Sequence, residues 1–65
     1  MNKKMRDIRK ALGMSQYALA AAAGSSPPTI IYVERYGHIP GPELQQRIAA
    51  ALAVTPADLW PKVAT

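Results

Sequence analysis

The chain has 65 residues, enough for one domain, and a chain of this size hides only about 60% of its unfolded surface. It has no cysteine, which excludes disulfide staples and thiolate metal sites. Its 49% apolar content excludes a disordered tail, and eight basic against four acidic residues give a net charge of +4, a balance that fits a polyanionic partner such as nucleic acid.

Phenylalanine is absent and alanine is frequent, so the expected core is thin, built of Leu, Ile, Val, Met and Ala on closely packed helices. Lys3, Lys4 and Arg6 precede "YALAAAAG" in the outline of a secretory leader. Asp7 breaks the basic segment, however, and Gly13, Ser15, Gln16 and Tyr17 interrupt the apolar one. No apolar run approaches the ~20 residues that span a membrane. The expectation is a soluble, intracellular chain.

Along the chain, Met5, Ile8 and Leu12 form one helical stripe over residues 3–12, with charges between them, and Gly13 stops it. Ser15 is the natural N-cap of a second, two-turn helix, "QYALAAAA", with Leu19, Ala20 and Ala23 on one face and Gly24 at its end. A third helix, 27–36, opens on two prolines. Either Ser26 is the cap and Pro27 the first helical residue, or Pro27 is the cap and Pro28 the first; the sequence leaves both registers open. Ile30 and Val33 face inward and Gly37 ends this helix.

"HIPGP" reads as a loop. Pro42 starts a fourth helix with Glu43 in its first turn; Leu44, Ile48 and Leu52 recur every four residues, flanked by Ala49 and Ala51. In "TPADLW", Thr55 caps a single turn with Pro56 first and Asp58 third, and Trp60 covers the core or joins a dimer contact. The expectation is an all-α domain of about five short helices over 1–61, with a fraying tail at 62–65.

Counted from Gln16, Leu19 is fourth, Ala20 fifth, Gly24 ninth, Ile30 fifteenth and Val33 eighteenth. A helix-turn-helix needs a small residue at the fifth place for a close crossing. It needs glycine at the ninth for a left-handed turn, and aliphatics elsewhere to seat the second helix on the first. With these residues in place, "IRKALGMSQYALAAAAG", "TIIYVERYG" and "ELQQRIAAALAVTPADLW" together resemble the phage-repressor-like helix-turn-helix family of the Cro/C1 (XRE) type over about residues 5–60. The C-terminal half is also similar to Ner-like and YdaS-like small regulators.

The resemblance implies a lambda-repressor-like fold in which helices two and three bind DNA, a structural pair of Arg9 with Glu34, and a DNA-contacting place for Gln16. The chain departs from the family pattern at Ser25, where an aliphatic is usual, and at "ERYG", which is one residue longer than the usual ending. It departs again at Pro27 and Pro28, where base-reading polar residues are common.

With Ile30 and Val33 inward, Pro28, Ile31, Tyr32 and Arg35 point away from the core, as a recognition helix presents itself to a major groove. Pro27, Pro28 and Ile31 would meet thymine methyls. Ser26 and Thr29 would donate or accept near the helix start, Tyr32 offers a hydroxyl, and Arg35 reaches a guanine edge or a phosphate. Ser15 and Gln16, with Tyr36 and His38 beyond the other end, would hold the backbone. Lys3, Lys4, Arg6 and Lys10 are left open as a solvated face.

His38 is the only histidine, so no metal site is expected, and no cofactor. No enzyme is expected either: Asp7 and Glu34 have basic neighbours, Glu43 and Asp58 serve helix starts, and no nucleophile–base pair is visible. The reading is a sequence-specific, Cro-like transcriptional repressor. It would be a phage-like regulator, cytoplasmic in a bacterial or phage-encoded setting, binding double-stranded DNA as a homodimer on a pseudo-palindromic operator. The alternative is an antitoxin or other protein-binding module using the Pro28/Ile31/Tyr32 face.

Overall fold

The structure, a computed structural model, describes residues 1–61; the expected tail, 62–65, lies outside the described residues. Five helices follow in order: α1 (Lys3–Ala11), α2 (Gln16–Ala22), α3 (Pro27–Tyr36), α4 (Pro42–Ala51) and α5 (Pro56–Leu59). The fold is all-α, with no strand among the described residues. α2 packs on α3 and α4, α4 on α5, and α1 on α3.

Each helix start has a local cause. The Asn2 side chain accepts from the Met5 N–H at 3.1 Å and donates to the Leu59 carbonyl at 3.1 Å, while its backbone N–H donates to the Glu34 carbonyl at 3.0 Å. One residue thus ties the entry of α1 to α3 and α5. Ser15 caps α2 by accepting from the Ala18 N–H at 2.9 Å. In α3 the open register resolves: Ser26 is the N-cap and Pro27 the first helical residue. The Ser26 hydroxyl makes no backbone cap; it pairs with the Thr29 hydroxyl at 2.9 Å instead.

Helix ends follow a repeated pattern. Gly13 and Gly24 are left-handed, at φ 70° and 65°. At the first, Met14 N–H reaches Arg9 and Gly13 N–H reaches Lys10; at the second, Ser25 N–H reaches Ala20 and Gly24 N–H reaches Ala21. These are Schellman closures, which satisfy carbonyls the helix leaves free. A third ends α4, but its left-handed residue is Ala53, at φ 59°, with Val54 N–H on Ala49 and Ala53 N–H on Ala50. α3 ends differently. The Tyr32 carbonyl accepts from both Gly37 and His38 N–H groups, which widens the last turn by a residue and accommodates the long "ERYG" ending.

The core comprises Met5, Leu19, Ala20, Ala23, Ile30, Val33, Ile48, Ala49, Leu52, Leu59 and Trp60, with Ile8, Met14, Leu44, Ala51 and Val54 packed against it. Trp60 is core cover within the chain. Two inward faces differ from the sequence reading. Leu12 is half exposed, because α1 ends at Ala11 and Leu12 is its C-cap; Arg9 is the second buried residue of that helix. On α4, Gln45 is buried and Leu44 only half-buried, because the Gln45 amide donates to the Pro40 carbonyl at 2.8 Å. That bond pins the "HIPGP" loop to the helix that follows it.

Two predictions follow from the helix termini. A left-handed L-residue costs ~1–2 kcal/mol, and glycine gives part of this back as unfolded-state entropy. Ala53→Gly should therefore raise stability by about 0.5–1 kcal/mol, measured by urea denaturation; a loss would mean the Ala53 methyl is not strained. At α5, the Thr55 N–H and hydroxyl both donate to the Asp58 carboxylate at 2.9 Å. These bonds, the backbone one first, hold the Asp58 pKa below its ordinary value. Because the folded value is depressed, the contribution to stability is full above about pH 4 and lost as pH falls through the folded value. A carboxyl-carbon NMR titration should place the Asp58 midpoint below about 3.9; a midpoint at or above that value would remove the cap.

Candidate nucleic-acid interface

The interface is organised by one buried ion pair. Arg9 Nε donates to Glu34 Oε2 at 2.9 Å and Nη2 to Oε1 at 2.7 Å, while Nη1 donates to the Met14 carbonyl at 2.7 Å. Both side chains are more than nine-tenths buried. The hydrogen bonds that Arg9 donates to Glu34 raise its pKa, against the opposing pull of burial, so the guanidinium stays charged. One fork therefore joins α1, the turn after it, and α3. It sets the angle at which α3 stands on the body.

Held this way, α3 buries Ile30, Val33 and Glu34 and leaves a row uncovered. Pro28, Tyr32, Arg35 and Tyr36 are exposed and Ile31 is half-buried. Pro27 is half-buried, so Pro28 carries the apolar tip. Tyr32 and Tyr36 lie with ring centroids 5.6 Å apart, tilted by 47°. Thr29, Tyr32 and His38 border one shallow depression. That depression and the tyrosine pair bring four of the sequence-predicted residues, Thr29, Tyr32, Tyr36 and His38, onto one continuous surface.

Gln16 and Arg35 lie elsewhere, on an open basin between α1, the start of α2 and the end of α3. Met1, Arg6, Arg9, Lys10 and Glu34 complete its lining. The predicted residues therefore divide into a nearly uncharged face on α3 and a basic basin beside it, with Arg35 common to both. Ser15 lines neither; its hydroxyl oxygen accepts from the Ala18 N–H and caps α2. Sequence reasoning left Arg6 and Lys10 as an unassigned charged face; their i, i+4 spacing on α1 was the available sign that they share a side. Among the described residues no cluster of His, Asp or Glu could hold a metal ion, and no helix is long and apolar enough to cross a membrane.

An all-α body that sets a second helix, uncovered on one side, across a left-handed glycine turn is a helix-turn-helix DNA-binding domain. The sequence profile of the helix-turn-helix family matches residues 5–59, and the chain belongs to that family, in its Cro/C1 (XRE) type. Compared with the curated proteins and with solved structures, the chain gives no match.

Glu34→Gln should cost ~3–5 kcal/mol, because it leaves the Arg9 guanidinium buried without a counterion. That is a large share of the ~3–10 kcal/mol expected of a domain this size. Thermal and urea unfolding by circular dichroism would measure it. A loss below about 1 kcal/mol would place the pair among ordinary surface bridges.

Proposed function

We propose that the chain is a transcriptional repressor that acts by occupying a pseudo-palindromic operator as a homodimer, in the cytoplasm of a bacterial host, without catalysing any reaction. The observation that carries this reading is the uncovered row on α3, from Pro28 through Ile31 and Tyr32 to Arg35, flanked by basic groups. Membership of the family supports DNA binding and regulation; the operator mode rests on the geometry and size of the domain.

The recognition face is unusual in its chemistry. Its first two residues have no N–H and no polar side-chain atom, so they approach a base edge only by van der Waals contact. Thymine C5-methyl groups are the matching feature of the major groove. Ser26 and Thr29 already share a hydrogen bond, which orients the Thr29 hydroxyl. Tyr32 then brings the polar contact of the central turn. Positions with few base contacts are read through the shape and deformability of the duplex.

The size of the domain supports two copies. The domain measures 29 Å along its longest axis, while successive major-groove faces on one side of B-DNA are ~34 Å apart. One chain covers one half-site, and specific affinity needs a second.

Selection of binding sites from random duplex DNA, with wild type and Tyr32→Ala side by side, tests the proposal. Wild type should yield an inverted repeat containing T-rich steps, with half-site centres about 10 base pairs apart. Tyr32→Ala should relax one position in each half and weaken the best site by ~1–3 kcal/mol. If no motif emerges, the α3 face is not a base reader, and a protein-binding role of the antitoxin kind takes its place.

A further inference from the structure

The tyrosine pair on α3 suits a part of a base that a duplex keeps hidden. Tyr32 and Tyr36 stand one helical turn apart and are 58% and 67% exposed. Their centroids, 5.6 Å apart at a tilt of 47°, lie within the range of favourable ring pairs. Each ring steadies the other, and both keep large areas in water. Tyr32 also borders the shallow depression it shares with Thr29 and His38. The His38 backbone is tied to the same turn, its N–H donating to the Tyr32 carbonyl at 3.2 Å. Three flat, unsaturated side chains therefore share one surface.

A B-form duplex offers the major groove the edges of its bases. Their faces are stacked on one another, so two adjacent rings find little flat area to cover there. An unpaired base exposes its face, and stacking on aromatic side chains is how proteins hold single strands without reading edges. The charges agree with such a partner. Residues 11–33 carry no charge, and the one acid of α3, Glu34, is engaged by Arg9. No free carboxylate of α3 repels a polyanion, and Arg35 adds a positive charge next to Tyr36.

The neighbours of the rings select the kind of strand. Pro28 and Ile31 lie on the same uncovered row and present only apolar atoms. Thymine carries a C5-methyl group that such atoms match, and uracil has none. A DNA strand is thereby favoured over RNA.

We propose that Tyr32 and Tyr36, with His38 beside them, form a stacking platform for unpaired, thymine-containing DNA. This is a binding activity additional to the reading of a duplex. The Thr29 hydroxyl, held by Ser26 at 2.9 Å, supplies a polar contact at the edge of the platform. The net charge of the chain, +4, holds the strand near the rings without choosing among bases.

The test compares labelled single strands of about twelve nucleotides, within the span one small domain covers, by fluorescence anisotropy. The strands are oligothymidylate, oligodeoxyuridylate, oligouridylate, and an abasic strand with the same phosphates. Oligothymidylate should bind most tightly and the abasic strand least. Tyr36→Leu should weaken oligothymidylate binding by about five-fold or more, the lower end of one base–aromatic stack. It should leave abasic binding unchanged. Tyr36→Phe keeps the ring and should stay within about two-fold of wild type, because stacking needs no hydroxyl. Tyr17→Leu is the control: Tyr17 is 69% exposed but stands on α2 and does not border the depression. In NMR spectra, the Tyr32 and Tyr36 ring protons should move upfield on adding oligothymidylate, as a stacked base shields them.

Equal affinity for oligothymidylate and the abasic strand overturns the platform, since charge alone then binds. So does a Tyr17→Leu loss as large as that of Tyr36→Leu, or tyrosine ring signals that do not move. Oligouridylate bound as tightly as oligothymidylate overturns the assignment to DNA. Circular dichroism of Tyr36→Leu separates lost stacking from lost fold, and the ring shifts of wild type decide the matter if that variant unfolds. None of these outcomes depends on whether a duplex operator is found.

Discussion

The Arg9–Glu34 fork is the constraint on which the rest depends. Putting two charges inside a small domain is unfavourable in itself, and a well-packed apolar pair of the same volume would often be as stable. What the fork supplies is direction. A guanidinium engaged by both oxygens of one carboxylate, with a third donor on the Met14 carbonyl, admits little rotation. Lysine, a single point charge on a flexible stem, would neutralise Glu34 without fixing any plane. The buried apolar side chains of α1 and α3, Met5, Ile30 and Val33 among them, specify no angle between the helices; the fork specifies it. The same carboxylate lies next in the chain to Arg35, so the group that anchors α3 also places the side chain shared by the α3 face and the basin.

The helices themselves are too short to stand alone. None exceeds ten residues, and isolated helices below ~12–15 residues are marginal in water. Their ends therefore matter as much as their middles. The chain uses one solution three times, a left-handed residue followed by a Schellman closure, after α1, α2 and α4. Each closure reverses the chain within about two residues, which brings the next helix back onto the core at once. The small side chains of Ala20, Ala23 and Ala49 are all buried, so backbones approach closely and a core without phenylalanine still fills. A larger residue at Ala20 would hold α2 away from α3 and α4 and undo the turn at Gly24.

Much of this was legible in the residues. Glycines after periodic segments marked two Schellman ends, prolines marked three helix starts, and the small–glycine–aliphatic spacing marked the α2–α3 unit. What escaped had physical reasons. The third closure was hidden because its left-handed residue is alanine, which has no turn signature. The burial of Gln45 has no local signature, because it depends on a carbonyl, that of Pro40, which becomes available only when the loop folds back. The role of Asn2 has no local signature either, since its partners Glu34 and Leu59 are distant in sequence. The register at Pro27 stayed open because two opposed rules applied, proline favouring the first helical position and proline disfavouring helix in the residue before it. In the interface, the exposed row on α3 followed from periodicity alone. The basin did not, since it joins residues 6, 10, 16 and 35 through a tertiary arrangement that no local pattern encodes.

The division between a nearly uncharged reading face and a charged basin has a consequence for how such a protein would choose a site. Charge contacts to phosphate bring affinity without sequence information, and apolar contacts to methyl groups bring information with little affinity. A helix that opens on two prolines gives up donors in its first turn, where base contacts are usually concentrated. It gains a start whose backbone is already restricted before DNA arrives, so less entropy is lost on binding. Discrimination then falls on the middle of α3, at Thr29, Ile31 and Tyr32, and on how readily the duplex adapts to a stiff tip. A reader of this kind distinguishes sites by shape and methyl pattern, and it depends on a rigid mount, because a tip that cannot bend to the DNA must be aimed correctly from the start. The fork at Arg9 and Glu34 is that mount.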